Sequence, residues 1–202
     1  MRYLFILIVL CLGAYCAYHI LVKGPAEAAK ANAAPQFVMP DPVAFKLKVF
    51  KANNPENIEV YLIHADRWRM ERRAIDVPGT FVTVFDGARF VTTDPNVTNT
   101  VGPGPGLRNA ISLMNGMQPA SSGLQDGHQC WLFKVPMDQT GTPWDLWIDQ
   151  QTYFPVFANG VSSGAYVEEH FQRLKSDFNI LEKTCFDTSG TPIPMLAPFL
   201  TQ

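Results

Sequence analysis

The sequence carries no surplus of charge of either sign. Its 202 residues include 16 Lys and Arg against 18 Asp and Glu, which gives a formal net charge of −2. A nucleic-acid-binding surface or a polybasic lipid-binding patch needs an excess of positive charge, so the composition favours neither. The chain also lacks a Cys-x-x-Cys pair and any closely spaced pair of His residues, the usual spacings of a zinc site. We therefore expect no cofactor, no metal and no nucleic-acid partner.

Motifs for catalysis are also lacking. Residues 160–164 (GVSSG) match the GxSxG pattern, but a nucleophile elbow needs a helix after the Ser and an acid and a His that converge on it. Residues 168–170 (EEH) follow closely, and sequential neighbours cannot converge on Ser162. The Gly/Pro-rich residues 101–106 lack the Lys-Ser/Thr of a phosphate-binding loop. We predict that the protein is not an enzyme.

A long apolar run near the start of the chain lacks acidic and basic residues. The run from Tyr3 to Val22 contains no Asp, Glu, Lys or Arg, and at about 1.5 Å per helical residue it covers the ~30 Å hydrocarbon core of a bilayer. A cleaved signal peptide is the alternative, but its apolar core is shorter and is followed closely by a small-x-small site. Here the best candidate site, residues 31–33 (ANA), lies beyond several charged residues. We predict an uncleaved transmembrane anchor over residues 1–23, surrounded by membrane lipid.

Charges near the ends of this helix predict its orientation. Arg2 and the terminal amine precede the helix, whereas Lys23 follows it and Glu27 offsets Lys30. The bias is slight, and it favours a cytoplasmic N-terminus. The rest of the chain is then translocated.

The four cysteines divide into two pairs. Cys11 and Cys16 lie in the apolar run, where we expect them to pack as small apolar groups; lipid attachment is disfavoured because neither follows a small residue. Cys130 and Cys185 form the other pair, which would close a 55-residue loop. In an oxidising compartment such a bridge stabilises a fold by about 3–4 kcal/mol. We predict a disulfide between them, with two buried thiols as the alternative.

Beyond the anchor, turn residues separate short stretches with strand periodicity. Residues 24–40 are rich in Ala and Pro and predict a linker, residues 41–188 predict one domain, and residues 189–202 predict an extended Pro-rich tail. The predicted strands are residues 43–50, 58–70 with a bulge near Ala65, 81–85, 89–93, 130–135, 144–149 and 155–158. Residues 107–117 predict a helix, and the periodicity of residues 166–181 favours a helix over a strand.

The order of these segments is similar to that of a known superfamily. The residues that carry the similarity are RME at 69–71, VFDG at 84–87, GHQC at 127–130, WID at 147–149, Thr152 and Pro155. Over residues 43–180 the chain resembles the periplasmic LolA-like and LolB-like lipoprotein-sorting superfamily. The resemblance implies an α+β, mainly antiparallel β fold, in which a curved half-barrel sheet with one or two short helices surrounds an apolar concavity. It also implies that residues 166–181 are strand.

Two sets of side chains are candidates for a functional surface. Some of the aromatic residues would face the concave side of such a sheet and accept an acyl chain or an apolar partner segment. The candidates for this cavity are Trp68, Phe85, Trp131, Trp144, Trp147 and Phe171. An arginine cluster indicates a solvated strand edge or, alternatively, a docking surface for an acidic partner. It consists of Arg67, Arg69, Arg72 and Arg73.

Two functions are compatible with these features. The first is a non-catalytic accessory subunit, anchored by its helix, that docks on and stabilises a larger membrane protein complex. The second is a tethered lipid- or lipoprotein-binding protein of the cell envelope. A carrier must move between membranes, and the predicted helix ties this chain to one membrane, so we expect the first. The predicted location is the bacterial inner membrane, with a single pass and the bulk of the chain in the periplasm.

Overall fold

Strands dominate the chain after residue 42, and in the described residues they join into one antiparallel sheet of ten strands. The strands are β1 (Val43–Lys51), β2 (Asn54–His64), β3 (Arg67–Ala74), β4 (Phe81–Phe85), β5 (Phe90–Thr92), β6 (Ser121–Gln125), β7 (His128–Pro136), β8 (Pro143–Asp149), β9 (Pro155–Ser162) and β10 (Ala165–Arg173). Their order across the sheet is β5-β4-β3-β2-β1-β10-β9-β8-β7-β6. Each half is a meander, and the two halves meet where β1 pairs with β10. The prediction of a mainly antiparallel β fold is confirmed.

The structure is a computed structural model and describes residues 36–38, 40–95, 111–112, 114–136, 142–162, 164–174 and 182–201. The described residues belong to a unit that spans Gln36–Gln202, and Met1–Pro35 form a separate unit that lies outside the described residues. The predicted anchor from Tyr3 to Val22 therefore falls outside them. In the described part of the chain, no helix has the length and apolar character needed to span a bilayer.

The predicted long strand over residues 58–70 is a hairpin of two strands. β2 ends at His64 and β3 begins at Arg67. Between them Ala65 has a φ of 51°, in the left-handed region that tight hairpin turns use. The Ala65 N–H donates to the Asp41 carboxylate at 2.9 Å and 3.0 Å, which holds the turn in place. The shift in apolar period thus marks a turn, and the predicted bulge is wrong.

The segment whose periodicity favoured a helix contains β10, which pairs with β1 along seven residues. Val167 and Phe171 lie on one side of this strand and are buried, as its alternation requires. Strand pairing at the centre of the sheet therefore overrides a local pattern that fits both structures. Residues 175–181 lie outside the described residues.

Few of the described residues are helical. Residues 111–112 and 114 of the predicted helix 107–117 are helical, and most of the rest lies outside the described residues. The sequence did not predict α1 (Glu182–Cys185) or the short 3₁₀ helix Ala197–Thr201. It also did not predict β6, because that segment, SSGLQ, lacks apolar alternation.

Apolar side chains are buried on both faces of the sheet. Because side chains alternate along a strand, the residues of β1 divide between them: Phe45 and Leu47 lie on what we call the first face, and Ala44 and Lys46 on the second. The core of the first face also includes Tyr61, Ile63, Trp68, Met70, Phe133, Leu146 and Ile148. The core of the second face joins Ala44, Val60, Leu62, Val82 and Val84 to Cys185, Phe186, Leu196 and Leu200.

The boundaries of the folded unit are wider than the predicted domain. Phe37, in the predicted linker, is buried in the core of the first face. Its N–H donates to the Asn115 side chain at 2.6 Å, and Asn115 donates back to the Phe37 carbonyl at 3.1 Å. At the other end, Leu196 and Leu200 of the predicted extended tail are buried on the second face. The predicted tail therefore packs against the sheet.

This packing yields a test of the C-terminal segment. Leu200 is 1% exposed, whereas Ile193 of the same segment is 69% exposed. We expect Leu200→Ala to lower the free energy of unfolding by about 2–5 kcal/mol and Ile193→Ala to change it by less than about 0.5 kcal/mol. Thermal and denaturant unfolding of the full chain in a non-ionic detergent measures both. Equal, small effects would mean that the segment is an unpacked arm.

One strand glycine sits directly beneath a tryptophan. A Cβ placed on Gly160 of β9 would lie 2.4 Å from Cγ of Trp144, whose side chain is 5% exposed. Trp144 thus fills the space that any other residue would need at this position. On β6, a Cβ on Gly123 would lie 3.6 Å from Cζ3 of Trp147, which is an ordinary contact.

These two glycines form a matched pair for mutation. We expect Gly160→Ala to cost about 2 kcal/mol or more of unfolding free energy, because the added methyl group displaces a buried indole. Gly123→Ala has room for the methyl group, and we expect it to be neutral or slightly stabilising, by about 0.5 kcal/mol. Equal losses at the two sites would contradict the packing of Trp144 on Gly160.

Candidate functional site

Five of the six aromatic residues predicted to line an apolar cavity lie on the first face. Trp68, Trp144 and Phe171 are buried in its core, and Phe85 and Trp131 are half-buried against it. Trp147 lies on the second face, because it is one residue away from the inward-facing Leu146 and Ile148 of β8. Its assignment to the same surface is wrong.

Side chains of the protein itself pack against this face. The Phe37 ring meets the edges of Phe133 and Trp131, with centroids 5.1 Å and 6.1 Å apart. Ile111 and Met114 are buried in the same cluster at 3% and 0% exposure. In the described residues, part of the space that an acyl chain would need is thus taken by Phe37, Ile111 and Met114.

Ionisable side chains interrupt one end of the first face. The Tyr61 hydroxyl donates to Glu59, and Arg72 pairs with Asp94. Removal from water is the largest cause that raises the pKa of Glu59, and it also raises the pKa of Tyr61 well above its ordinary value. Burial, and then the charge of Glu59, raise the pKa of Glu169 to about 7. Glu169 therefore exchanges its proton near neutral pH.

The raised pKa of Glu169 predicts a pH-dependent stability. Its ordinary pKa is 4.5 and its folded pKa is about 7, so between these pH values the folded protein binds more protons than the unfolded chain. Stability contributed by the protonated group is present below pH 4.5 and is lost as the pH rises through 7. Glu169→Gln has no proton to lose, so we expect its stability relative to the natural chain to rise by about 1–3 kcal/mol between pH 5 and pH 8. A difference that stays constant over that range, in unfolding of the full chain, would contradict the shift.

The four arginines predicted as a docking surface do not form one surface. β3 is an interior strand between β2 and β4, and its alternation places Arg67, Arg69 and Arg73 on the second face and Arg72 on the first. Arg69 is 2% exposed, and the Arg67 guanidinium lies 4.8 Å from the Phe186 ring centroid. The prediction of a solvated strand edge with four accessible cations is therefore wrong.

Arg69 instead joins the C-terminal segment to β3. Its Nε and Nη2 donate to Oε1 of Glu71 at 2.8 Å and 2.7 Å, and its Nη1 donates to the Cys185 carbonyl at 3.0 Å. Arg69 also donates to the Ile193 carbonyl, and the Met195 N–H donates to Glu71 at 2.6 Å. A buried ion pair is stable only when further hydrogen bonds compensate its lost hydration, and here backbone groups of the C-terminal segment provide them.

The two cysteines expected to form a disulfide are free and buried. Cys130 is on β7, whereas Cys185 contacts β3, and five strands separate β7 from β3 in the sheet. A disulfide needs Cα atoms within about 7 Å, and neighbouring strands alone are ~4.8 Å apart. Burial raises the pKa of the Cys130 thiol to about 11 and also raises that of Cys185. The predicted bridge is wrong, and both residues are unreactive core thiols.

The GxSxG match falls at the hairpin between β9 and β10. β9 ends at Ser162, which pairs with Ala165 of β10. Gly164 has a φ of 77°, which explains the glycine at this position. The strand–turn–helix geometry of a nucleophile elbow is not present here.

Aromatic and apolar side chains lie on the second face across β8, β9 and β10, and two of them are exposed. We call Trp147, Phe157, Val161 and Tyr166 the aromatic patch. Val161 and Tyr166 are 44% and 39% exposed and pair across the β9–β10 hairpin. Trp147 is half-buried and pairs with Phe157, which is 7% exposed.

A row of polar groups crosses the aromatic patch. The Tyr166 hydroxyl donates to Glu168 at 3.0 Å and accepts from Asn159 at 2.8 Å. Lys134 pairs with Asp145 at 2.6 Å on the neighbouring strands. By the strand register these polar side chains lie between the two pairs of the patch, Val161–Tyr166 and Phe157–Trp147. Trp and Tyr beside hydrogen-bonding groups are typical of protein interfaces. The sequence contained one signal for this patch, the alternation of β8 that separates Trp147 from the core residues.

No family model and no curated protein matches the chain. Among solved structures, the chain is similar to an uncharacterized conserved protein from Thermus thermophilus, at 11% identity and a TM-score of 0.44. The similarity covers 74% of this chain and 89% of that one. It carries no functional argument, and the resemblance to the LolA-like superfamily stays a prediction.

Proposed function

We propose that this protein is a non-catalytic, membrane-anchored accessory subunit that docks on the periplasmic part of a larger membrane protein complex. The observation that carries the proposal is the aromatic patch. Aromatic side chains with polar tips lose little conformational entropy on binding and are enriched at the centres of interfaces. Trp147 and Tyr166 are of this kind, and both stand on rigid strands.

The anchor supports the membrane part of the proposal. The uncharged run from Tyr3 to Val22 is long enough to span a bilayer. A translocated domain next to the membrane meets partners that are fixed in the same plane. The proposed partner is therefore an integral membrane protein whose periplasmic surface has an apolar pocket that binds Trp147 and Tyr166.

The first face supports docking over lipid carriage. A tethered lipid-binding protein needs an apolar cavity of about 300 Å³ or more, and Phe37, Ile111 and Met114 pack against the face that would supply it. We further propose that the sheet has the curved, unclosed half-barrel form of LolA-like proteins. In the described part of the chain the ten antiparallel strands form a single layer with β5 and β6 as separate edges, which supports this form.

The test uses the full chain in its native membrane. We expect extraction in a mild non-ionic detergent, followed by native mass measurement, to give one complex of defined mass and stoichiometry. Val161→Asp and Trp147→Ser remove apolar contacts of the patch, so we expect each to release the chain as a folded monomer. The matched control is Ile75→Asp, because Ile75 is 45% exposed, against 44% for Val161, and lies in the turn after β3.

Three outcomes would contradict the proposal. The first is a complex that survives both patch variants. The second is release by Ile75→Asp to the same extent as by Val161→Asp. The third is a chain that carries bound lipid and no stoichiometric partner, which would favour the tethered lipid-binding function.

A further inference from the structure

A cavity of about 380 Å³ opens at the junction of β1, β10 and the β6–β7 turn. Two lysines of β1, Lys46 and Lys48, line it together with His170 and Gln172 of the paired strand β10. Register pairing aligns Lys46 with Gln172 and Lys48 with His170, so these four side chains stand on the second face in two adjacent rows. His128 from the start of β7 also lines the cavity.

Carboxylates hold both imidazoles of this cavity. Nδ1 of His170 pairs with Asp126 at 2.8 Å, and Nδ1 of His128 pairs with Asp149 at 2.8 Å. Because each ring is bound to a carboxylate through Nδ1, its Nε2 is the nitrogen left to meet a ligand, and it donates an N–H to an anion only when the imidazole carries both protons. His170 is further fixed between Phe50 and Phe157, with ring centroids 5.4 Å and 4.8 Å away. Contacts within the protein therefore hold both imidazole rings in one orientation.

Hydrogen bonds also hold the Asp149 carboxylate in place. Its Oδ1 accepts from the N–H groups of Gln151 and Thr152 at 2.9 Å and 2.6 Å, and from the Thr152 hydroxyl at 2.8 Å. These hydrogen bonds outweigh the effect of burial and lower the pKa of Asp149. The Asp149 carboxylate therefore anchors His128.

We infer that this cavity is a binding site for a phosphate-bearing ligand, held by Lys48, His128, His170 and Gln172. Lysine ammonium groups, imidazole N–H groups and amide N–H groups are donors that recognise phosphate oxygens. The lining contains two lysines, Lys46 and Lys48, and its one carboxylate, Asp126, pairs with His170. Burial first, and then the charges of Lys48 and Arg73, lower the pKa of Lys46, in keeping with a concentration of positive charge at this position.

The volume of the cavity indicates the size of the ligand. A volume of about 380 Å³ is within the range of small-molecule sites and exceeds what a bare phosphate ion fills. Phe50 and Val156 supply an apolar part of the lining. The ligand is therefore a phosphate group attached to a small organic body, which is the chemistry of a phosphorylated metabolite or of an anionic lipid headgroup. The inference of this site does not rest on the proposed docking function.

The experiment uses the full chain in a non-ionic detergent at constant ionic strength. The probes are inorganic phosphate, short-chain dihexanoyl phosphatidylglycerol, and dihexanoyl phosphatidylcholine as a zwitterionic counterpart. Imidazole ¹H–¹³C NMR signals of His128 and His170 report binding at the site, and the signal of His64, which does not line the cavity, is the internal reference. Lys48→Gln removes the exposed cation of the site, and Lys51→Gln removes an exposed cation of the same strand outside it.

We expect phosphate to shift both imidazole signals saturably, with an affinity about tenfold weaker in Lys48→Gln, as the loss of one charge-assisted hydrogen bond predicts. Lys51→Gln should bind as the natural chain does. Tighter binding of phosphatidylglycerol than of phosphate, with no response to phosphatidylcholine, identifies a lipid headgroup as the source; equal or weaker binding identifies a free phosphorylated compound. Absence of any saturable shift, or an equal loss in the two lysine variants, would overturn the inference.

Discussion

The pairing of β1 with β10 is the contact on which the rest of the structure depends. It joins Val43–Lys51 to Ala165–Arg173, which lie at opposite ends of the domain sequence, and so turns two meanders into one sheet. Without it each meander would expose an interior edge to other chains. Bringing distant segments together costs chain entropy, and the buried residues Phe45, Leu47 and Phe171 across this junction offset that cost.

The two faces of the sheet differ in how they are covered. Phe37 and Met114 pack on the first face, whereas the C-terminal segment packs on the second face over β2, β3 and β4. Covering the second face required a buried ion pair, Arg69 with Glu71, whose hydrogen bonds reach the backbone of the segment. Apolar burial alone would hold the segment without specifying its register, while these directional bonds select one arrangement.

The remaining part of the second face combines both proposed activities. His170 of the cavity contacts the ring of Phe157, which belongs to the aromatic patch, at 4.8 Å between centroids. The cavity and the patch are therefore adjacent parts of one surface. The position of the cavity depends on the pairing of β1 with β10, because only this pairing brings Lys48 next to His170.

The sequence by itself determined the strands whose pattern is local. Alternation predicted β1, β4, β7 and β8 to within a few residues at each end, because side chains on opposite faces of a strand repeat with period two wherever one face is buried. Alternation within β8 also contained the signal that separates Trp147 from Leu146 and Ile148, although Trp147 was predicted among the cavity residues. Only the tertiary structure decided that β10 is a strand and that the arginines do not form one exposed surface. It also decided that Cys130 and Cys185 are free thiols and that the C-terminal segment packs on the sheet. Whether a charge is buried, a thiol has a partner or a tail packs depends on groups distant in the chain, which a local pattern does not contain.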